Sequence, residues 1–172
     1  GNSLPEPTTI AAVTDLVETL QSQRINMNDL TVVSVSGQNL IVTDGTTEIT
    51  VRSNAKTDEV YDHLQTAVAG QKANIKGMLL GWYNSAQFII LSIAELELLE
   101  MTDEQKVDAD MAETTLAASA GPENLTLPTT GAHGSAITWE SSNAAIIGND
   151  GVIVNQPETD TEVIFTGTFV LN

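Results

Sequence analysis

Apolar positions in the first hundred residues change period several times along the chain. In "TTIAAVTDLVETLQSQ", Ile10, Val13, Leu16, Val17 and Leu20 recur at helical spacing, with Thr8 or Thr9 available as N-cap, so the pattern predicts an opening helix. The next stretch, "DLTVVSVSGQNLIVTDGTTEITVRSN", is β-rich over 30–35, 40–43 and 48–52. Ser36-Gly37-Gln38-Asn39 and Asp44-Gly45-Thr46-Thr47 separate these runs, each with a glycine suited to the positive φ of a tight turn. Helical spacing returns in "TDEVYDHLQTAVAG", where Val60, Leu64, Ala67 and Val68 share a face, Thr57 is the predicted cap and Gly70 the predicted stop. Two further strands follow in "KANIKGMLLGWY" and "AQFIILSIAELELL", separated by Asn84-Ser85.

The resulting order is three strands, a helix and two strands. Five antiparallel strands with a helix between the third and fourth is the expected reading, and it is the arrangement of the OB-fold. Residues 9–100 resemble the OB-type modules of secreted bacterial proteins through "VSVSGQNLIVTDGTTEITV" and "IKGMLLGWYNSAQFII". Residues 1–8, "GNSLPEPT", read as an extended lead-in containing Pro5 and Pro7.

A boundary is predicted after Leu99. Thr102-Asp103-Glu104-Gln105 has the form of a capping box, and Val107, Met111 and Leu116 give the following helix a narrow apolar stripe that Gly121-Pro122 ends. Short β-rich runs come next, over 125–127, 136–140, 145–147, 152–154 and 162–171. In "ITWESSNAAIIGNDGVI", Ile137 and Trp139 alternate with polar residues and are expected to face inward. Ser141-Ser142-Asn143 and Asn149-Asp150-Gly151 then supply two reversals.

Residues 102–172, within a predicted domain over 101–172, are similar to the atrophied bacterial immunoglobulin-like domains through "LTLPTTGAHGSAITWESSN" and "GNDGVIV". Ala144 stands where that family often has proline. The resemblance implies a small Ig-like β-sandwich preceded by a helix, within a multidomain secreted or cell-surface protein. It also implies one more strand after "FTGTFVLN". Either the domain is truncated, or the strand beginning near Thr161 ends without its usual partner and leaves an edge open to another chain. The fold class is therefore mainly β: a five-stranded OB-like barrel with helices, then the Ig-like domain.

Charge narrows the possible partners. Residues 1–106 hold 14 acidic and 6 basic residues, leaving −8, whereas residues 107–172 hold 9 acidic and no basic residues, leaving −9. A surface of this sign cannot neutralise nucleic-acid phosphates, and anionic membranes repel it. No apolar run approaches the ~18 residues of a membrane span. With no cysteine there is no disulfide or thiolate chemistry.

Few residues carry candidate chemistry. His63 lies in a helix pattern and His133 in the glycine-rich "TGAHGS", too far apart in sequence to form a spaced ligand pair. Asp108 and Asp110, and the cluster Glu158, Asp160 and Glu162, lack the alternating oxygens and glycine of a calcium loop and read as solvated surface. No phosphate-binding loop, nucleophile elbow or zinc-protease motif occurs, so neither an enzymatic activity nor a cofactor is expected. The best ligand-binding candidates are Trp82, Tyr83 and Asn84, at the turn between the fourth and fifth predicted strands, where aromatic faces could stack on sugars or bases. Alternation on a strand would send one of the two rings into the core. The favoured function is a non-catalytic accessory or spacer region whose partners are the neighbouring domains of a longer chain. The alternative is an OB module binding an oligosaccharide or single-stranded nucleic acid through the Trp82 region, with nucleic acid disfavoured by charge.

Overall fold

The computed structural model describes residues 5–117 and 123–171. Their contacts divide into two compact units, Gly1–Met101 and Thr102–Asn172. Gly121-Pro122 lies outside the described residues, and the helix it was expected to end closes earlier, at Glu113, short of Leu116.

The first unit is a closed five-stranded barrel. After a two-residue strand β1 (Thr8–Thr9) come β2 (Arg24–Ser36), β3 (Asn39–Thr43), β4 (Glu48–Ser53), helix α1 (Glu59–Gln65), β5 (Lys72–Trp82), β6 (Ala86–Ile90) and a short β7 (Leu96–Leu98). Hydrogen-bonded neighbours run β2-β3-β4-β6-β5, and β5 pairs back onto β2 to close the ring. One expectation changes: the β4–β6 pair is parallel, with Val51 opposite Phe88, so the five strands are not all antiparallel. The chain must cross over through α1 and β5 before β6 can lie beside β4, and a crossover of this kind delivers a parallel strand.

Closure rests on β2, the longest strand. Its first half pairs with β5, from Arg24 opposite Leu79 to Thr31 opposite Lys72, and its second half with β3. Register shifts at Ile25/Met27, Met27/Leu30 and Val32/Ser34 bend it, as bulges do. At the second shift Asp29 adopts φ 61°, and its N–H donates to Asn74 Oδ1 at 3.0 Å. The Asp29 carboxylate also pairs with Lys72 at 3.1 Å. The first two hairpin turns follow the sequence, with Gly37 at φ 55° and Gly45 at φ 95°. Alternating residues Leu40, Val42, Ile49, Val51, Phe88 and Ile90 fill the interior together with Ile25, Met27, Leu30, Ile75, Met78 and Leu80.

The segment before the barrel is not an α-helix. It forms β1, which runs parallel to the start of β2, and then two single 3₁₀ turns, Val13–Asp15 and Glu18–Leu20. Val13 and Leu16 are buried, but Val17 is exposed. A three-residue spacing of Ile10, Val13 and Leu16 suits a 3₁₀ turn as well as an α-helix, and here the barrel core selects every third residue. Asp44 fixes the first turn by accepting the Val13 N–H at 2.8 Å. Bonds from the Thr47 and Val13 N–H groups, and then from Thr46, hold the Asp44 carboxyl well below the usual range.

Helix α1 is shorter than its pattern, and its cap is Asp58, whose carboxylate accepts the Tyr61 N–H at 2.8 Å, in place of Thr57. The helix ends at Gln65, so Gly70, at φ 85°, belongs to the turn before β5. Val60 and Leu64 enter the core as expected. The long last strand is interrupted as well: β6 stops at Ile90, a 3₁₀ turn spans Ile93–Glu95, and β7 re-joins β5.

The second unit opens with α2 (Asp103–Glu113), capped by the reciprocal Thr102–Gln105 box that the sequence predicts. Its buried residues are Ala109 and Asp110; Met111, assigned to the apolar stripe, is 54% exposed. β8 (Ala136–Ser141) and β9 (Phe165–Val170) form an antiparallel pair. The expected strands at 125–127, 145–147 and 152–154 reduce to the Leu125 N–H bond to Gly151 and the isolated bridge Ile147–Ile153. The loops at both reversals are held by side chains. Ser142 Oγ accepts from Ile164 N, Asn149 Oδ1 from Ser141 N and Asp150 Oδ1 from Val152 N.

Trp139 is half-buried, whereas its alternation partner Ile137 is fully inside. Its indole N–H donates to the Pro128 carbonyl at 2.7 Å, and its ring meets Phe169 edge-on at a centroid distance of 6.3 Å. Directly opposite it in the sheet is Gly167. A Cβ at Gly167 would lie 2.8 Å from the indole, so the ring lies over a position kept bare for it. Gly167→Val is therefore expected to displace the ring and destabilise this unit by about 1–3 kcal/mol. A lowered unfolding midpoint with a red-shifted Trp139 emission would check it; an unchanged midpoint would contradict it.

Candidate functional site

Strand β5 ends at Trp82, which pairs with Ala86 across the turn to β6. The three residues between them include Asn84 at φ 62°, and Tyr83 N–H donates to the Ser85 carbonyl at 3.0 Å. Trp82 is half-buried and Tyr83 is 78% exposed, so neither ring is sealed in the core. Asn84 is exposed beside them. The turn thus presents one free phenol, one half-covered indole and one amide within three consecutive residues. These groups can stack on and hydrogen-bond a flat polar ligand, and they carry no positive charge.

A surface network lies elsewhere on the barrel. Glu97, on β7, receives Lys76 at 2.7 Å and the Asn74 amide at 2.7 Å, and these two bonds, Lys76 first, hold its carboxyl below the usual range. His63 is accounted for structurally: its Nε2 lies 2.9 Å from the Leu96 carbonyl and ties α1 to β7.

In the second unit the structure gathers residues that the sequence reading left apart. Asp110, expected on a solvated surface, is buried. One carboxylate oxygen accepts the His133 N–H at 2.7 Å and meets His133 Nδ1 at 3.0 Å; the other accepts the Ser135 N–H at 2.9 Å. Burial pushes the Asp110 carboxyl up. The Ser135 side chain beside it, with the His133 and Ser135 N–H groups, more than reverses that and leaves it well below the usual range. Gly131 lies against the same carboxylate, with no space for a Cβ. Asp, His and Ser are the residue types of a nucleophilic triad, but the arrangement here is different. Among the described residues the buried Ser135 hydroxyl has no aligned hydrogen bond, and the Ser135 backbone binds the aspartate. A triad requires the hydroxyl to face the imidazole. The cluster instead clamps the 131–135 loop onto α2. Asp108 is exposed, as expected. Among the described residues, no group of three or more His, Asp or Glu is placed to hold a metal ion, and no helix is long and apolar enough to cross a membrane.

The boundary at Thr102, the capped helix, the Trp139 strand and the Asp150-Gly151 turn define the second unit. Residues 101–172 match the family model of the atrophied bacterial Ig domain. No curated protein and no solved structure matches the chain. The match covers the second unit, the Ig-type module named for that similarity, and does not extend over the barrel. Among the described residues of the Ig-type module only Ala109, Ile137 and Ile147 are fully buried apolar residues, so its stability leans on hydrogen-bonded anchors such as Asp110.

Sequence alone offered one clue to Asp110. That clue is the pair of glycines flanking Ala132-His133, since a loop of that kind supplies free N–H groups to a carboxylate.

Proposed function

We propose that this chain is a non-catalytic accessory or spacer region of a secreted or cell-surface multidomain bacterial protein. In this reading the barrel is an OB-type module of the kind found in secreted bacterial proteins, and the Ig-type module extends it. The observation that carries the reading is the match of residues 101–172 to a bacterial Ig-domain family, in a chain whose contacts separate into two self-contained units. Repeated small β modules serve to position other domains, and function resides in sites, not in folds. The acidity of both halves suits a solvated exterior. An antibody raised against the chain should label intact cells or detect the protein in the medium. Signal obtained only after permeabilisation would overturn the placement.

The exposure of Tyr83 beside Trp82 favours one second reading, in which the β5–β6 turn binds an oligosaccharide or single-stranded nucleic acid. A spacer predicts that Trp82→Ala and Tyr83→Ala change stability at most. A binding module predicts loss of ligand with the fold retained, and for a nucleic acid also a steep fall of affinity with salt. Titration of the full chain with a soluble oligosaccharide and with oligo-dT at low salt separates them. We expect no binding of oligo-dT.

A further inference from the structure

A cleft on the barrel, sharing no residue with the Trp82 turn, combines a guanidinium that has no ion-pair partner among the described residues, two acidic residues and apolar walls. Its volume is about 570 Å³, within the range of small-molecule sites. Arg24 of β2, Gly77 and Leu79 of β5, Leu91 and Glu95 after β6, and Glu6 of the leading segment line it.

Arg24 is the cation of this cleft, and it is held in place. Its Nε donates to the Gly77 carbonyl at 3.0 Å. Gly77 stands at φ 64°, its N–H bound to Asn26 Oδ1 at 2.6 Å, and a Cβ there would collide with the guanidinium. The side chain therefore lies flat on a glycine that leaves space for it. Among the described residues no carboxylate ion-pairs with Arg24. Its terminal amines keep their donors, in a fork suited to a carboxylate.

The apolar part is equally specific. Leu79 sits opposite Arg24 in the β2–β5 ladder. Leu91 is 60% exposed, although β6 has just ended and the chain turns back towards β7. Glu95 fixes that turn, its Oε2 accepting the Leu91 N–H at 2.8 Å. A simple organic anion would reach Arg24 but would also meet Glu6 and Glu95, in a half of the chain that already carries −8. A ligand with an ammonium as well as a carboxylate satisfies both signs and leaves its side chains for Leu79 and Leu91.

We propose that this cleft binds a short zwitterionic peptide with apolar side chains, its carboxylate on Arg24 and its ammonium at the Glu6 and Glu95 carboxylates. The proposal rests on the barrel alone and is independent of the spacer reading.

Calorimetric titration of the full chain with L-leucyl-L-leucine tests it, alongside the C-terminal amide and the N-acetyl derivative of the same dipeptide. The expected result is saturable binding of the free dipeptide, weakened about tenfold or more for each blocked form, as the loss of a charge-assisted contact implies. Arg24→Gln should reproduce the effect of the amide. Glu95→Gln keeps an oxygen for the Leu91 N–H and should weaken the free dipeptide while leaving the N-acetyl form unchanged. If Arg24→Gln fails to fold, amide shift mapping on the unaltered protein replaces it, and shifts confined to Gly77, Leu91 and Glu95 and their neighbours support the site. Equal affinity for all three dipeptide forms, shifts elsewhere, or no binding at millimolar concentration would overturn the proposal.

Discussion

Asp110→Ala unfolds the Ig-type module at ambient temperature or leaves it only marginally folded. The substitution removes a buried carboxylate from the His133 and Ser135 N–H groups, stranding two donors in a region with few buried apolar side chains. Each stranded donor costs about 1–3 kcal/mol, and breaking a buried charge-assisted set costs about 3–5 kcal/mol in total. Asp110→Asn is milder, at about 2–3 kcal/mol. Its carbonyl oxygen can still accept from His133, but its amide then confronts the Ser135 N–H with a second donor. The chain has two tryptophans, one in each unit, so Trp82→Phe leaves Trp139 as the reporter for urea unfolding of the module. Unchanged midpoints for both Asp110 variants would refute the clamp.

The same carboxylate sets a pH dependence with a definite sign. Its folded pKa is depressed below the unfolded value, which is about 3.9 for an aspartate. Its contribution is therefore complete well above about pH 4 and disappears as pH falls from there towards the folded value. The stability gap between the unaltered module and Asp110→Asn should be widest near neutral pH and narrow steadily below about pH 4. A gap that widened in acid would show that the bonds favour the protonated form.

Phe88→Ala carries the other large effect, this time on the barrel. Phe88 is completely buried and lies where three strands meet, opposite Val51 in the parallel pair and opposite Leu80 in the antiparallel one. Removing a phenyl ring from such a site costs about 3–5 kcal/mol. The loss falls on β6, the strand that bridges the two halves of the ring, so the amides of both β4–β6 and β5–β6 should lose hydrogen-exchange protection together. Loss in only one of those pairings would mean that the barrel is not a single cooperative unit. Phe88→Leu, which retains most of the volume, should lose much less.

These two residues also mark how far the sequence could be read. Period-2 alternation in "AQFII" puts Phe88 and Ile90 on one face of the strand whatever its partners are. The barrel strands share that property, and their order limited the topology to a short list. The leading segment was misread because a spacing of three is common to α and 3₁₀ geometry, and only a tertiary bond, from Val13 to Asp44, decides between them. The burial of Asp110 was missed for a different reason. Burial of a carboxylate depends on donors 23 and 25 positions away, and no local period encodes them. Trp82, Tyr83 and Asn84 lie where the pattern put them. Strand alternation would send one of the two rings inward, but the strand ends at Trp82 and the rule no longer applies to Tyr83.

The dearth of cations in the Ig-type module gives it an unusual protease map. Lys106 is the module's sole Lys or Arg, and it lies within α2, paired with Asp103 at 3.5 Å. Trypsin therefore has one bond to cut in this module, and that bond is inside a capped helix. A protease needs the helix opened to reach it, so the rate of this single cleavage measures the opening of α2. Labelling by amine-reactive reagents is restricted in the same way, and the rest of the module passes through both treatments as one uncut, unlabelled piece.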